Sequence, residues 1–302
     1  MARTGSGRRT TNETLSTAAV IGWLQAAQRV LDSIGASQLR QIDSAAELFA
    51  SAISSEALVH VFGSGHSRIS TEEMFPRIGS FPGFHPIAEL ALTNHVGVVG
   101  PNGLRQVLFL EKVEGFARVI LQQIKVHPGD AFLLFSSSGV GGVVLEMALY
   151  LRTMGVPIVA VTSLDSDRRS RSRHSSGLKL AEVADVVIDN GSGAMDAVVE
   201  IPGLRHRVGP TSTIGAVAVV NAIKVATAAK LVARGVHPVV LDSPHFGNNE
   251  DAERQIELVY EDYFRRIRRA YDLNGALAVP ETYSTSKVNG GRAHLPPVMP
   301  ET

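Results

Sequence analysis

Short, almost wholly apolar runs, each cut off by a cluster of glycine and hydroxyl residues, constrain the fold of this chain more than any other feature. Residues 58–62 (LVHVF) end in Gly63-Ser64-Gly65-His66-Ser67, and Ala131–Phe135 (AFLLF) ends in Ser136-Ser137-Ser138-Gly139. Residues 157–161 (PIVAV) run into Thr162-Ser163, and 185–189 (DVVID) into Asn190-Gly191-Ser192-Gly193. Strands of about five residues that are apolar throughout, rather than alternating, belong to a parallel sheet covered on both faces. Stretches of crossover length with helical pattern separate them, at 113–125 and 143–154. This order predicts an α/β protein, a doubly wound three-layer αβα sandwich. Residues 86–88 read as another short strand, and 239–241, just after Pro238, as an edge strand.

Ahead of the first strand, Leu15, Ala19, Trp23, Ala26 and Val30 predict a helix ended by Gly35. Leu39, Ile42, Ala46, Phe49 and Ile53 mark the apolar stripe of a second. Residues 211–234 read as a long, largely apolar helix and 252–270 as a charged amphipathic one. Residues 1–14, polar and basic, read as a disordered tail, and 271–302 as a C-terminal tail or domain-swapped arm. The 302 residues, 44% of them apolar, suffice for one large core, so 15–270 is expected to form a single domain.

Composition removes several functions. The 29 basic and 29 acidic residues balance, against the basic excess of nucleic-acid binders, so no nucleic-acid partner is expected. With no cysteine there is no disulfide frame, thiolate nucleophile or cysteine-held metal, and a cytoplasmic location fits. The ten histidines are scattered without a His-Glu-x-x-His set, so neither metal nor other cofactor is expected. The most hydrophobic segment, 207–224, contains Asn221 and falls short of the ~20 apolar residues of a bilayer span, so no membrane association is expected.

In an open parallel sheet, ligands collect at the carboxyl ends of the strands. Here those ends carry glycine, which lets a ligand approach the chain, and serine or threonine, which add donors without charge. A phosphate or a polyol suits such loops. GSGHS is no dinucleotide fingerprint, because Arg68 stands where the third glycine belongs, and no Gly-Lys-Ser/Thr follows it.

The order GSGHS, a helix carrying Glu72-Glu73, Phe135-Ser136-Ser137-Ser138-Gly139 opening a further helix, and AVTS at 160–163 resembles the sugar isomerase (SIS) domain. The segments SRHSSG (172–177), EVADVVIDNG (182–191) and VGPTST (208–213) resemble, more narrowly, the UPF0309 group of SIS-domain proteins. The likeness spans roughly residues 15–265. It implies a five-stranded parallel sheet of the SIS type, Rossmann- or flavodoxin-like, behind an N-terminal helical pair. It also implies a phosphorylated sugar or amino sugar as ligand, and a homodimer or homotetramer. It does not imply one reaction, since such domains include isomerases, etherases and non-catalytic sensors.

The match places Ser136, Ser137, Ser138 and Gly139 in the phosphate loop, and Ser64, Gly65 and Ser67 in the first loop, against the sugar or its phosphate. Many members carry Thr or Asn two residues after the loop glycine, where this chain has Gly141, so one phosphate contact is expected either to be missing or to come from Thr162 or Ser163. His66 reads either as a ligand to phosphate or sugar hydroxyl, or as a solvent-facing histidine at a helix start. Thr211 and Ser212, opening a helix, are expected to present hydroxyls and N–H groups to the same pocket.

Aldose–ketose isomerisation needs a base to move a proton between neighbouring carbons. The match favours Glu72, with Glu73 the other candidate, since adjacent residues diverge by ~100° around a helix. His174 lies among Arg168, Arg169, Arg171 and Arg173, a run that reads as an anion-binding loop or as a solvated charge face; it is the third catalytic candidate. His245 and Glu250 are candidates to complete a neighbouring subunit's site. The expected function is therefore phosphosugar binding with isomerisation by a Glu base. The alternatives are a non-catalytic phosphosugar sensor, or an etherase or deaminase.

Overall fold

A computed structural model describes residues 6–94, 103–243, 249–283 and 285. Two helices, α1 (Ser6–Ser37) and α2 (Leu39–Ser54), precede the first strand, β1 (Val59–Gly63). Then follow α3 (Arg68–Met74), β2 (Phe84–Ile87), α4 (Gly103–Leu110), α5 (Phe116–Gln122), β3 (Ala131–Phe135), α6 (Gly142–Met154) and β4 (Ile158–Thr162). The remainder comprises α7 (Leu164–Arg169), α8 (Leu180–Val183), β5 (Val186–Asp189), a hairpin of β6 (Ala197–Val199) and β7 (Val208–Pro210), α9 (Ser212–Ala233) and α10 (Asn249–Ile267).

The five strands β2-β1-β3-β4-β5 form one sheet, parallel throughout, in which Gly63 pairs with Phe135 and Thr162 with Asp189. Every residue of β1, β3 and β4 is buried, as unalternating sequences in a doubly covered sheet must be. Successive side chains still leave on opposite faces. Val59, Val61, Leu133 and Val161 meet Phe49 and Ile53 of α2 and Val219 and Ile223 of α9. Phe62, Phe132, Leu134 and Ala160 meet Leu121 of α5, Val144 and Leu145 of α6 and Leu180 of α8. The molecule is thus a three-layer α/β sandwich, with the expected five-stranded parallel sheet and N-terminal helical pair.

Several local expectations are corrected. The helix expected over 113–125 spans only Phe116–Gln122, because Gly115 before it adopts φ 92° and its N–H donates to the Glu146 carboxylate at 2.6 Å. Residues 239–241 form no strand. Leu241 donates to Ser80 O and accepts from Gly79 N–H, each at 2.8 Å, and Pro238 offers no ladder donor. The β6–β7 hairpin was not expected. Helix α1 begins at Ser6, so part of the stretch read as a tail is helical, while residues 1–5 lie outside the described residues. By length and hydropathy α9 does meet the measure of a spanning helix, against expectation, although 39% of its most apolar window is buried inside the molecule. Its Lys224, 4% exposed, donates to the Glu73 carbonyl at 2.9 Å.

Candidate functional site

The carboxyl ends of β1 and β3 stand side by side, and the loops leaving them enclose a cavity of about 440 Å³. Ser64, His66, Ser67, Ser136, Ser137 and Ser138 line it, with Gly65 and Gly141. Those two runs of the sequence, 72 positions apart at Ser64 and Ser136, come together as the two serine loops were expected to.

The second loop is held mainly by its own backbone; of its hydroxyls, that of Ser138 accepts from Val140 N–H at 3.4 Å. Ser136 N–H donates to Val161 O (3.1 Å), Gly139 N–H to Ser136 O (3.1 Å), and the Ser137 and Gly139 carbonyls accept from Ser163 (3.0 Å) and Leu180 (2.9 Å). Gly139 sits at φ 67°, and a Cβ there would lie 2.8 Å from an Asp167 carboxylate oxygen, so only glycine turns the chain at this point. The N–H groups of Ser137 and Ser138 have no acceptor among the described residues. Two unpaired N–H donors beside three hydroxyls make an anion cradle without a cationic side chain. No lysine or arginine lines the cavity among the described residues.

A carboxylate that sequence reasoning missed faces this cradle. Glu111 follows α4 and accepts from the Ser64 hydroxyl at 2.5 Å. Its backbone carbonyl accepts from Val143 N–H at 3.2 Å, and a Cβ at Gly142 would lie 2.4 Å from that oxygen. Glycine at the start of α6 is what brings Glu111 this close. The available signal was the string Leu110-Glu111-Lys112 closing a helix of apolar residues, which reads as an ordinary polar helix end. Asn94, also missed, lines the cavity, and its amide nitrogen lies 2.7 Å from His66 Nδ1. If that nitrogen donates, the neutral ring keeps its proton on Nε2.

Other expected residues lie elsewhere. Glu72 does not line the cavity; its side chain is 64% exposed and paired with Arg68 one turn back. Glu73 turns to α9, accepting from Asn221 and Arg77 at 3.1 Å each. Partial burial pushes its carboxyl up, but those donors outweigh it and hold the group below its ordinary range. Thr162 and Ser163 are fully buried. The Ser163 hydroxyl donates to Ser192 O at 2.6 Å and accepts from Ser166 N–H, so both residues brace the loop from behind. Gly141 therefore has no hydroxyl substitute from either of them. Ser212 lines the cavity but Thr211 does not, and Asp196 already caps the start of α9, accepting from Thr211 N–H (2.9 Å), Ser212 N–H (2.7 Å) and the Ser212 hydroxyl (2.7 Å). A helix end so occupied by a carboxylate does not offer itself to a phosphate.

His174 lies outside the cavity, 5% exposed, with its ring against Tyr283. His245 lies outside the described residues, and of Glu250 only its place in α10 is described.

Residues 22–163 match the SIS domain family. A UPF0309 protein of Listeria monocytogenes serotype 4b is 30% identical over 239 residues, covering 79% of this chain and 93% of that protein. A UPF0309 protein of Brucella abortus is 35% identical over 224 residues, covering 74% of this chain and 88% of that protein. Among solved structures, a phosphoheptose isomerase from Francisella tularensis aligns with a TM-score of 0.46 at 14% identity, over 70% of this chain and 97% of that one. The Vibrio vulnificus NanR protein complexed with ManNAc-6P aligns with a TM-score of 0.42 at 15% identity, over 83% and 72%.

Proposed function

The chain belongs to the UPF0309 family and carries a SIS domain, and on that premise we propose that it binds a phosphorylated sugar or amino sugar at the strand tips and isomerises it between aldose and ketose. The observation that carries this reading is the pairing of the serine cradle with the Glu111 carboxylate in one cavity. The unpaired N–H groups of Ser137 and Ser138 and the loop hydroxyls hold the phosphate. Glu111, across the cavity, takes the proton from the carbon beside the sugar carbonyl and returns it to the neighbouring carbon, the work a carboxylate base does in this chemistry. Ser64, donating to Glu111, keeps that carboxylate turned inward. His66, oriented by Asn94, gives its Nε2 proton to the former carbonyl oxygen and recovers one from the neighbouring hydroxyl, so the oxygen proton moves as the carbon proton does.

The charge of the lining narrows the ligand. Glu111 and Asp196 are carboxylates, and among the described residues His66 is the one lining side chain that can carry positive charge. A sugar bearing one phosphate and no carboxylate is therefore favoured, since a second anion would meet only these acids. The exposed apolar side chains of α1, among them Leu15, Val20, Ile21 and Leu24, support a homodimer or homotetramer, which light scattering measures directly.

The test is a thermal-shift screen of aldose and ketose 6-phosphates with their 2-amino and 2-acetamido forms, followed by proton NMR of each stabilising sugar in deuterated buffer. Stabilisation with loss of the proton signal beside the carbonyl, C2 of an aldose or C1 of a ketose, and appearance of the second isomer is expected. Stabilisation without exchange or product would make the protein a sensor, and no stabilisation by any sugar phosphate would overturn the reading.

A further inference from the structure

The turn at 111–115 carries two carboxylates with separate partners. Glu111 reaches the cavity, while Glu114 accepts from the N–H (2.7 Å) and the hydroxyl (2.6 Å) of Ser175. Those two bonds hold the Glu114 carboxyl below its ordinary range. The preceding residue, His174, accepts from Ser176 N–H at Nδ1 (3.1 Å), so its neutral ring carries the proton on Nε2. That nitrogen lies 3.1 Å from the Tyr283 hydroxyl, which also meets the Ser175 hydroxyl. His174 Nε2 is 3.9 Å from the Glu114 carboxylate. One run of polar groups thus leads from the C-terminal segment to the turn.

Tyr283 is fixed in its turn. After α10 the chain recrosses the molecule, with Leu277 N–H donating to Val126 O at 2.7 Å. Leu277, Val279 and Tyr283 pack on the apolar cluster that holds α6 to the sheet, and Tyr283 stands edge-on to Tyr150 with ring centres 5.2 Å apart. On its inner side the turn is tied to α6. Glu146, 1% exposed, accepts from Gly115 N–H (2.6 Å) and Ala117 N–H (3.1 Å), and Glu111 O accepts from Val143. Only the outer side depends on the loop at 174–176 and, through it, on the C-terminal segment.

We propose that residues 276–283 form a strap that positions Glu111: Tyr283 holds His174 and Ser175, Ser175 holds Glu114, and the turn they share presents Glu111 to the cavity. His174 and Tyr283 are then positioning residues that never touch the sugar. The kinetic consequence rests on Glu111 being the base; the mechanical one does not.

The test is hydrogen exchange of the full-length protein and its Tyr283→Phe, Tyr283→Ala and His174→Ala variants, without added sugar. Exchange at 111–117 is expected to rise about fivefold in Tyr283→Phe, the worth of one hydrogen bond, and further in Tyr283→Ala, with the serine loop at 136–141 unchanged. Tyr283→Phe keeps the ring's packing, so it reports the hydroxyl even if the alanine variants fold poorly. A second readout is proton exchange at C1 of fructose 6-phosphate, expected to slow in step with the loosening of 111–117 while the Kd for inorganic phosphate stays constant. Unchanged protection at 111–117 in Tyr283→Phe and Tyr283→Ala, or loosening that spreads equally to 136–141, overturns the strap. A loosened turn in a protein whose wild type exchanges no sugar proton leaves the strap standing and removes the reading of Glu111 as base.

Discussion

The two ends of strand β1 treat polar side chains in opposite ways. At its base, His60 lies 3.3 Å from Asp130 through Nε2 and 2.8 Å from His85 Nδ1 through its own Nδ1. Asp130 also accepts from Leu58 N–H (2.9 Å), His127 N–H (2.7 Å) and Arg269 (3.3 Å). At its tip, four residues on, Ser64 and its neighbours face an open cavity, and two N–H groups across from it have no partner among the described residues. A polar group shut away from water must find a partner within the chain, whereas one that faces a cavity is available to a ligand. The base is therefore built for stability and the tip for binding. The same element serves both because its middle, Val61 and Phe62, is wholly apolar.

Asp130→Ala should separate the two ends most sharply. It removes one partner from a buried charge cluster and strands two backbone donors, at a cost of about 4 kcal/mol of unfolding free energy. Denaturant unfolding measures it, and phosphosugar binding per folded molecule should not change. Glu111→Gln should do the reverse. A neutral amide still fits against Ser64 but cannot take a proton, so sugar-proton exchange should fall about 10²- to 10⁴-fold with stability nearly unchanged. If Asp130→Ala weakened binding and Glu111→Gln destabilised the fold, the division of labour would fail.

Acid should find the base before the tip. Burial, reinforced by His60, pushes His85 down to about 3 from an ordinary 6.5, so it stays neutral in the fold while the unfolded chain takes up a proton. Between those values the unfolded state binds more protons, and stability is lost as pH falls, by up to about 1.4 kcal/mol per unit. Asp130 adds to this only at lower pH. Burial pushes its carboxyl up, but the hydrogen bonds from His60, Leu58 and His127 outweigh that and hold it below 3.8, so its contribution is lost as pH falls through that low value. Glu146 opposes both. Burial holds it above 4.5, so the fold gains a proton first and is favoured as pH falls through that raised value. His85→Gln should flatten the decline between pH 6.5 and 4.5, or turn it into a slight rise. An unaltered slope in thermal unfolding would show that His85 is not held neutral.

What could be read in advance divides along the same line. The strands of the parallel sheet, their order of appearance and the serine loops were legible because apolar runs ending in Gly and Ser are local signals, and two such loops must meet where parallel strands lie side by side. Glu111 was not legible, because its position depends on Gly142, 31 residues later, having no Cβ to push it back. His174 was misplaced for a related reason. Its basic neighbours suggested an anion, yet its partners are Ser176 beside it and Tyr283 from 109 residues away, and no local pattern announces the latter. Thr211 and Ser212 did mark a helix start, but the acid that caps it, Asp196, comes from before the intervening hairpin.

Glu72 gives the comparison its finest test, because resemblance and geometry disagree there. The family match sets it one helical turn beyond the first serine loop, where a base belongs. In the structure α3 turns that position outward: Thr71, Ser70 and Met74 take the buried face, and Glu72 is left 64% exposed beside Arg68. An exposed pair at i, i+4 is worth about 0.5 kcal/mol or less, so Glu72→Gln should barely move the melting temperature. A carboxylate that does not line the cavity cannot be the proton's first acceptor, so sugar-proton exchange should stay within about twofold of wild type, against the 10²- to 10⁴-fold loss expected at Glu111. The two substitutions exchange the same atoms for the same atoms, so whichever one abolishes exchange names the side of the first loop from which the sugar is deprotonated. A large loss at Glu72 with none at Glu111 would mean that α3 turns inward when ligand binds, and that the tip of β1 is less settled than its base.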